Sequence, residues 1–177
     1  RGEGHKAGIV SLREIITACV RLGVEVLSAY AFSTENWKRP KQEVNLLMHL
    51  FAQTFVDELP LLKRENVRVV FPGDISALPK RTREVFEYGL KETSKHTGMV
   101  LALAVNDGAR AELARAARLL AEDVAAGRLD PSRIDEAAVA GKLYTAGLPD
   151  PELIIRTSGE LRLSNYLLWQ AAYSEFY

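Results

Sequence analysis

The stretches VEVLSAYAFS (24–33), VRVVF (67–71) and MVLALAV (99–105) decide the fold class. All three are short and largely apolar, with β-branched or aromatic residues. A strand that alternates apolar with polar residues has one wet face, whereas a near-continuous apolar run reads as covered on both faces, as in a parallel sheet. Helical spacing lies between and around them. Over 6–22 the apolar residues Ile9, Leu12, Ile16 and Cys19 recur every three or four positions, and Gly23 ends the run. Over 43–64 the stripe is Val44, Leu47, Phe51, Phe55, Leu59 and Leu62, with Pro60 expected to kink or finish the helix. Segments 80–95 and 109–126 read as helices closed by His96-Thr97-Gly98 and by Gly127. A shorter helix is expected at 134–143 and a fourth, short strand at 153–156, while 167–172 reads as a helix turn or a strand. The alternation βαβα predicts one α/β domain over 1–177: a central parallel β-sheet flanked by helices.

Composition narrows the functional classes. At 177 residues, the chain is close to the roughly 150 typical of one domain. The hydrophobic fraction is 47% and the charged fraction 26%, which excludes a disordered or low-complexity chain. Lys+Arg and Asp+Glu are both 23, so the net charge is zero and no basic excess points to nucleic acid. The single cysteine, Cys19, excludes a disulfide framework and a Cys-based zinc site, and its place on the helix stripe reads as a buried, inert thiol. The longest apolar run, 99–105, falls far short of the roughly 20 residues that span a bilayer. Arg1 is not an initiator Met, no signal peptide precedes it, and the chain stops inside the aromatic segment 173–177. It therefore reads as the ordered part of a longer protein.

In a parallel sheet the carboxyl ends of all strands share one edge, where open α/β proteins bind ligands. That rule predicts that Ser33, Asn36, Arg39, Asp74, Asn106, Arg156 and Ser158 converge. Such residues also serve as ordinary turn and cap residues, a reading that suits Asp74, Asn106 and Asp107 best. The combination of Asn36, Trp37 and Arg39 in one loop is an unusual turn composition. The segment RTSGELRLS (156–164) places two arginines and hydroxyl side chains around a glycine, which suits a phosphate or diphosphate. The alternative is a solvated loop in which Arg156 pairs with Glu160. Neither GxxxxGK[ST] nor GxGxxG occurs, so nucleotide binding through those motifs is unsupported. Near the start, Gly4-His5-Lys6-Ala7-Gly8 opens a helix and suits an anion, although a lone His there is more often a cap. His49 and His96 read as structural or solvated.

Two long strings carry a resemblance. AFSTENWKRP (31–40) and IRTSGELRLSN (155–165), the latter followed by LLWQ (167–170) and AYSEF (172–176), are similar to the signatures of the cis-prenyltransferases, nearest to the bacterial undecaprenyl diphosphate synthase group. Gly4 to Gly8, Gly73-Asp74, Tyr144-Thr145 and Pro149-Asp150-Pro151 fit as well, in collinear order over almost the whole chain. The resemblance implies an enzyme that condenses isopentenyl diphosphate with Z geometry onto an allylic diphosphate such as farnesyl diphosphate. It also implies Mg²⁺ as cofactor, a homodimer, a cytoplasmic location with transient contact at the membrane face, a role in supplying the lipid carrier for cell-wall synthesis, and an apolar tunnel between sheet and helices. The 43–64 stripe, by spacing alone first of all core, becomes tunnel wall in this reading, and Ala31 leaves room for a growing chain. By position, Arg1 and His5 match contacts to the allylic diphosphate. Ser33, Thr34, Glu35, Trp37 and Arg39 match the loop that closes over the substrates, and Glu43 a position that orders it. Asn36 matches the residue of the proton-removal step; an amide is no base, so its role is positioning. Arg156, Arg162, Leu163 and Ser164 match the isopentenyl diphosphate site, and Glu175 a carboxylate at the Mg²⁺ site.

The chain departs from the family pattern in three places. The family's Met-Asp-Gly-Asn-Gly-Arg-Trp segment, with its Mg²⁺-binding Asp, and a C-terminal tail that supports the dimer do not occur in this sequence. Where the family has Asn-Tyr-Gly-Gly-Arg, this chain has Asn106-Asp107-Gly108-Ala109-Arg110. Two other classes compete with the enzyme: a non-catalytic accessory subunit of a heteromeric cis-prenyltransferase, and a generic phosphate-binding α/β protein. The intact Asn36, Arg39, Arg156, Arg162 and Ser164 speak against the first.

Overall fold

Strand β3 (Val100–Asp107) is the middle of a three-stranded sheet, with β1 (Val26–Ser33) on one side and β2 (Arg68–Val70) on the other. The computed structural model describes residues 2–177 of the chain, and the side chains of residues 10–177. β2 and β3 run parallel, with Arg68 opposite Val100, Val69 opposite Leu101 and Val70 opposite Ala102. On the other side the Val100 N–H donates to the Glu25 carbonyl at 2.9 Å. This order explains the apolar reading strand by strand. Central β3 is buried along almost its whole length. Edge strand β1 is half-buried, and Phe32 alone among its residues is buried. Covered faces on both sides, expected of both strands, hold for β3 and not for β1.

The chain forms two compact units, Arg1–Asn106 and Asp107–Tyr177. In the first, α1 (Gly2–Leu22), α2 (Lys41–Arg64) and α3 (Lys80–Thr93) accompany the sheet. Helix α1 turns Leu12, Ile16, Cys19 and Val20 to the core, and Gly23, at φ 72°, closes it in a left-handed turn. Cys19 is half-buried rather than buried, and this partial burial pushes its thiol up. The stripe on α2 is core: Val44, Leu47, Met48, Phe55, Leu59 and Leu62 are buried and Phe51 packs against them. Pro60 does not finish this helix, which continues to Arg64. Leu59 and Leu62 on either side are buried, and Lys63 bonds Glu92 of α3, so tertiary packing outweighs the lost backbone bond.

Three rings join α2, α3 and the end of β2. Phe71 stacks on Phe86 at 4.2 Å, and Phe55 meets both edge-on at 5.4 and 5.7 Å. Such pairs contribute about 0.5–1.5 kcal/mol each beyond the area they bury. Thr93, fully buried, ties the end of α3 to β2: its Oγ1 accepts the Val69 N–H at 3.1 Å and donates to the Gly89 carbonyl at 2.9 Å.

The second unit holds α4 (Ala109–Ala125), α5 (Glu136–Ala140) and a two-stranded parallel sheet of β4 (Leu153–Ile154) and β5 (Glu175–Phe176). The helix expected over 134–143 is cut to α5, because Asp130 caps a 3₁₀ turn at Ser132 and Asp135 caps α5 at Ala138, each at 2.8 Å. The strand expected at 153–156 is two residues long and pairs with β5 rather than joining the three-stranded sheet. Segment 167–172 resolves as a 3₁₀ turn, Gln170–Tyr173. Glu112 of α4 is buried, and its carboxylate accepts the Tyr144 N–H at 2.7 Å and a Gln170 Nε2–H at 3.3 Å.

Candidate active site

In the first unit, the strand ends meet as expected. β1 runs into a 3₁₀ turn, Thr34–Lys38, that carries Asn36 and Trp37. The turn is internally braced: the Ser33 N–H donates to Asn36 Oδ1 at 2.9 Å, and the Arg39 N–H to the Asn36 carbonyl at 3.1 Å. Thr34 Oγ1 donates to Glu35 at 3.3 Å. Beyond Pro40, Arg39 Nη1 bonds Glu43 Oε1 at 2.8 Å, an ion pair between the turn and the first turn of α2. The pair is exposed and contributes at most about 1 kcal/mol. Trp37 packs edge-on against buried Phe32, with ring centroids 5.2 Å apart. Its Nε1–H donates to Asn106 Oδ1 at 2.7 Å.

The other two strand ends are locked to each other. Gly73, at φ 119°, lies so close to β3 that a Cβ on it would stand 2.0 Å from the Val105 carbonyl oxygen. Asp74 caps the next 3₁₀ turn by accepting the Ser76 N–H at 3.1 Å. Asn106 Nδ2 donates to the Asp74 carbonyl at 2.8 Å. Asp74 is thus a cap residue, while Asp107 ends β3 and accepts the N–H of its neighbour Gly108 at 2.8 Å.

In the second unit, loop 156–165 is folded around Arg156. Arg156 Nη1 donates to the Arg162 carbonyl at 3.0 Å and to Ser164 Oγ at 2.9 Å. A guanidinium carries five N–H donors, and these two bonds use Nη1 only. Glu160 bonds Arg162, so the Arg156–Glu160 pair weighed as an alternative does not form. Ser158, Gly159, Ser164 and Asn165 all have positive φ, which bends the loop back on itself. Arg156 and Leu163 are half-buried, while Arg162 and Ser164 are exposed and accessible to an anion.

Asn165, which sequence reasoning did not single out, moors this loop. Its carbonyl accepts the Ala109 N–H at 2.8 Å and its Oδ1 the Arg110 N–H at 2.9 Å, so one residue caps the start of α4. The signal available was its chemistry alone: an Asn tolerates positive φ and caps helices. Asn165→Ala is expected to lower stability by about 1 kcal/mol, the usual value of a cap, measured as a shift of the urea midpoint.

Glu175 is exposed on β5. Arg1 and the side chain of His5 lie outside the described residues. Among the described residues, no three His, Cys, Asp or Glu side chains gather as a ligand set, and no helix is long and apolar enough to cross a membrane. His49 is exposed, and His96 Nδ1 lies 2.7 Å from the Val67 carbonyl, so both are structural or solvated.

Comparison with known proteins bears on these loops directly. A family model described as "Putative undecaprenyl diphosphate synthase" matches residues 1–177. The isoprenyl transferase of Geobacillus kaustophilus (strain HTA426) is 50% identical over 177 residues, which is 100% of this chain and 69% of that protein. The isoprenyl transferase of Clostridium perfringens (strain 13 / Type A) is 47% identical over 177 residues, 100% of this chain and 70% of that protein. Among solved structures, lavandulyl diphosphate synthase from Lavandula x intermedia, in complex with dimethylallyl diphosphate, superposes with a TM-score of 0.95 at 35% identity, covering 99% of this chain and 76% of that one. A probable undecaprenyl diphosphate synthase from Campylobacter jejuni gives 0.84 at 32% identity, covering 97% and 79%. Matched over residues 1–177 by the family model and over its whole length by relatives about half identical to it, the chain belongs to the undecaprenyl diphosphate synthase family, the isoprenyl transferases.

Proposed function

We propose that this prenyl transferase is a Z-type polyprenyl diphosphate synthase, which condenses isopentenyl diphosphate onto an allylic diphosphate such as farnesyl diphosphate and supplies a lipid carrier for cell-wall synthesis. The observation that carries the reading is the 156–165 loop, in which Arg156 bonds the Arg162 carbonyl and Ser164 Oγ, so that two guanidinium groups and a hydroxyl gather on one short loop. Planar guanidinium groups bind phosphate oxygens in pairs, so this composition suits a diphosphate better than a monovalent anion.

The chemistry follows from the residues. Arg156, Arg162 and Ser164 hold the diphosphate of isopentenyl diphosphate. Its terminal double bond attacks the allylic carbon, the bond from that carbon to the departing diphosphate breaks, and one proton leaves the new chain. Asn36 positions the reacting groups; the proton goes to a carboxylate or a diphosphate oxygen, because an amide cannot accept it. Arg39, Trp37, Ser33, Thr34 and Glu35 form the loop that covers the reactants and excludes water from the electron-poor carbon. Arg1 and His5 complete the contacts to the allylic diphosphate.

Mg²⁺ belongs to the proposal, where it would neutralise the departing diphosphate. Mg²⁺ commonly takes one or two carboxylates, with phosphate oxygens and water filling the remaining positions. An exposed carboxylate such as Glu175 therefore fits as one ligand without a closed protein cage. The tunnel for the growing chain, with exposed Ala31 at its mouth, is likewise part of the proposal. So are a second copy of the chain as partner and transient contact with the cytoplasmic face of a membrane.

The test is a product assay on the full-length protein with farnesyl diphosphate, isotope-labelled isopentenyl diphosphate and Mg²⁺, read by mass spectrometry of the extracted lipid. A long polyprenyl diphosphate is expected. No incorporation of label overturns the reading.

A further inference from the structure

We propose that Asn106 is a positioning residue for the reaction, acting through the indole of Trp37 on the turn that carries Asn36. The inference rests on the prenyl-transfer reading above and adds a residue that this reading leaves without a role.

Asn106 is 9% exposed and stands at the end of the central strand, in a left-handed conformation at φ 52°. Three bonds converge on it. Its Oδ1 accepts the Trp37 Nε1–H at 2.7 Å, its Nδ2 donates to the Asp74 carbonyl at 2.8 Å, and its own carbonyl accepts the Asp74 N–H at 3.2 Å. The turns that follow β1 and β2 are thus fastened to the end of β3 by one side chain. The Asp74 bonds fix the amide plane, and with it the direction in which Oδ1 faces the indole. Asn36 adjoins Trp37, and the bonds it accepts, on Oδ1 from the Ser33 N–H and on its carbonyl from the Arg39 N–H, lie within the turn. Those bonds set the shape of the turn. The Trp37–Asn106 bond ties it to the rigid middle of the sheet, together with the contact of Trp37 on Phe32.

A positive φ by itself accounts for an Asn at this position, since Asn adopts that region more readily than most residues. It does not account for a side-chain amide that accepts from the Trp37 indole and donates to the Asp74 carbonyl at once. Glycine meets the backbone requirement fully and removes the tether, so Asn106→Gly separates the two roles. Displacements of about 1 Å at a reacting group cost up to roughly 100-fold in rate. A loosened turn should therefore appear in turnover rather than in binding.

The experiment uses the full-length protein with Asn106→Gly, Trp37→Phe and the double variant. Phenylalanine keeps a ring against Phe32 and removes the N–H. Steady-state kinetics with farnesyl and isopentenyl diphosphates are expected to show kcat falling about 10- to 100-fold in Asn106→Gly. Both KM values should change much less. The double variant should be no slower than the slower single one, because both substitutions break the same bond. Hydrogen exchange of the Trp37 indole N–H, followed by NMR, provides a readout separate from activity: protected in the wild type, at least about tenfold faster in Asn106→Gly. A wild-type indole that exchanges freely overturns the proposal. So does unchanged kcat in Asn106→Gly, or losses that multiply in the double variant. A wild type that transfers no prenyl group overturns the functional reading and the proposal with it, whereas an active wild type with an unaffected variant overturns the proposal alone.

Discussion

Arg156→Ala is expected to raise the KM for isopentenyl diphosphate by about 10- to 100-fold, the equivalent of losing one charge-assisted hydrogen bond worth roughly 1.5–3 kcal/mol. Two losses coincide at this residue. The guanidinium is one of the two proposed diphosphate cations, and its Nη1 also holds the loop closed on the Arg162 carbonyl and Ser164 Oγ. Without it, Arg162 remains paired with Glu160, and the loop loses the bonds from Nη1 to the Arg162 carbonyl and Ser164 Oγ. Arg156→Lys should recover only part of the affinity. An ammonium has its three donors on one nitrogen, so it cannot hold both loop acceptors and still offer an anion the second, planar edge that Nη2 and Nε supply. The KM for the allylic substrate should change little, because the Arg156 loop is assigned to the other diphosphate. Equal effects on both substrates, or none on either, would remove Arg156 from the isopentenyl diphosphate site.

What the sequence revealed of this site depended on how local the interactions are. The core face of α1 was legible from the three-to-four spacing of Leu12, Ile16 and Cys19, because helical packing repeats within a few residues. The two arginines and hydroxyls around a glycine in 156–164 were legible from composition, and their use for an anion belongs to the proposed function. The partner of Arg156 was not. An ion pair with Glu160 is the helical-spacing guess, but Ser158 and Gly159 have positive φ and turn the chain so that Glu160 meets Arg162 instead. Pro60 misled for a related reason: its local cost is fixed, while the burial of Leu59 and Leu62 that offsets it is a property of the packed helix pair. The Trp37–Asn106 bond joins residues 69 apart in sequence, and no periodicity encodes such a pair. Strand β5 was hidden in an aromatic run because its only hydrogen-bonded neighbour, β4, is two residues long. Both are too short for a period-two pattern to register.

Gly73→Ala is the substitution expected to cost the fold most, about 3–5 kcal/mol, the middle of the combined range for backbone strain and overpacking of about 1–3 kcal/mol each. Its φ of 119° is a region that side chains with a Cβ rarely adopt, and the new methyl would lie 2.0 Å from the Val105 carbonyl oxygen. That oxygen belongs to the central strand, which has little freedom to retreat, because β1 and β2 flank it on both sides. For a chain of this size the loss corresponds to a fall in Tm of about 6–20 °C. Gly127→Ala is the control. Its φ is also positive, at 69°, but nothing lies within 4 Å of the added Cβ, so it should lose only the backbone preference of about 1–2 kcal/mol. Two urea titrations compare the variants, and equal midpoints would mean that the turn at 72–74 yields without cost. The consequence for activity follows from connectivity. The Asp74 carbonyl next to Gly73 is the acceptor that fixes the Asn106 amide, so any retreat of this turn releases Asn106 and, through it, Trp37. Residual Gly73→Ala protein that still folds should therefore show the lowered kcat of Asn106→Gly, with its indole N–H exposed to exchange.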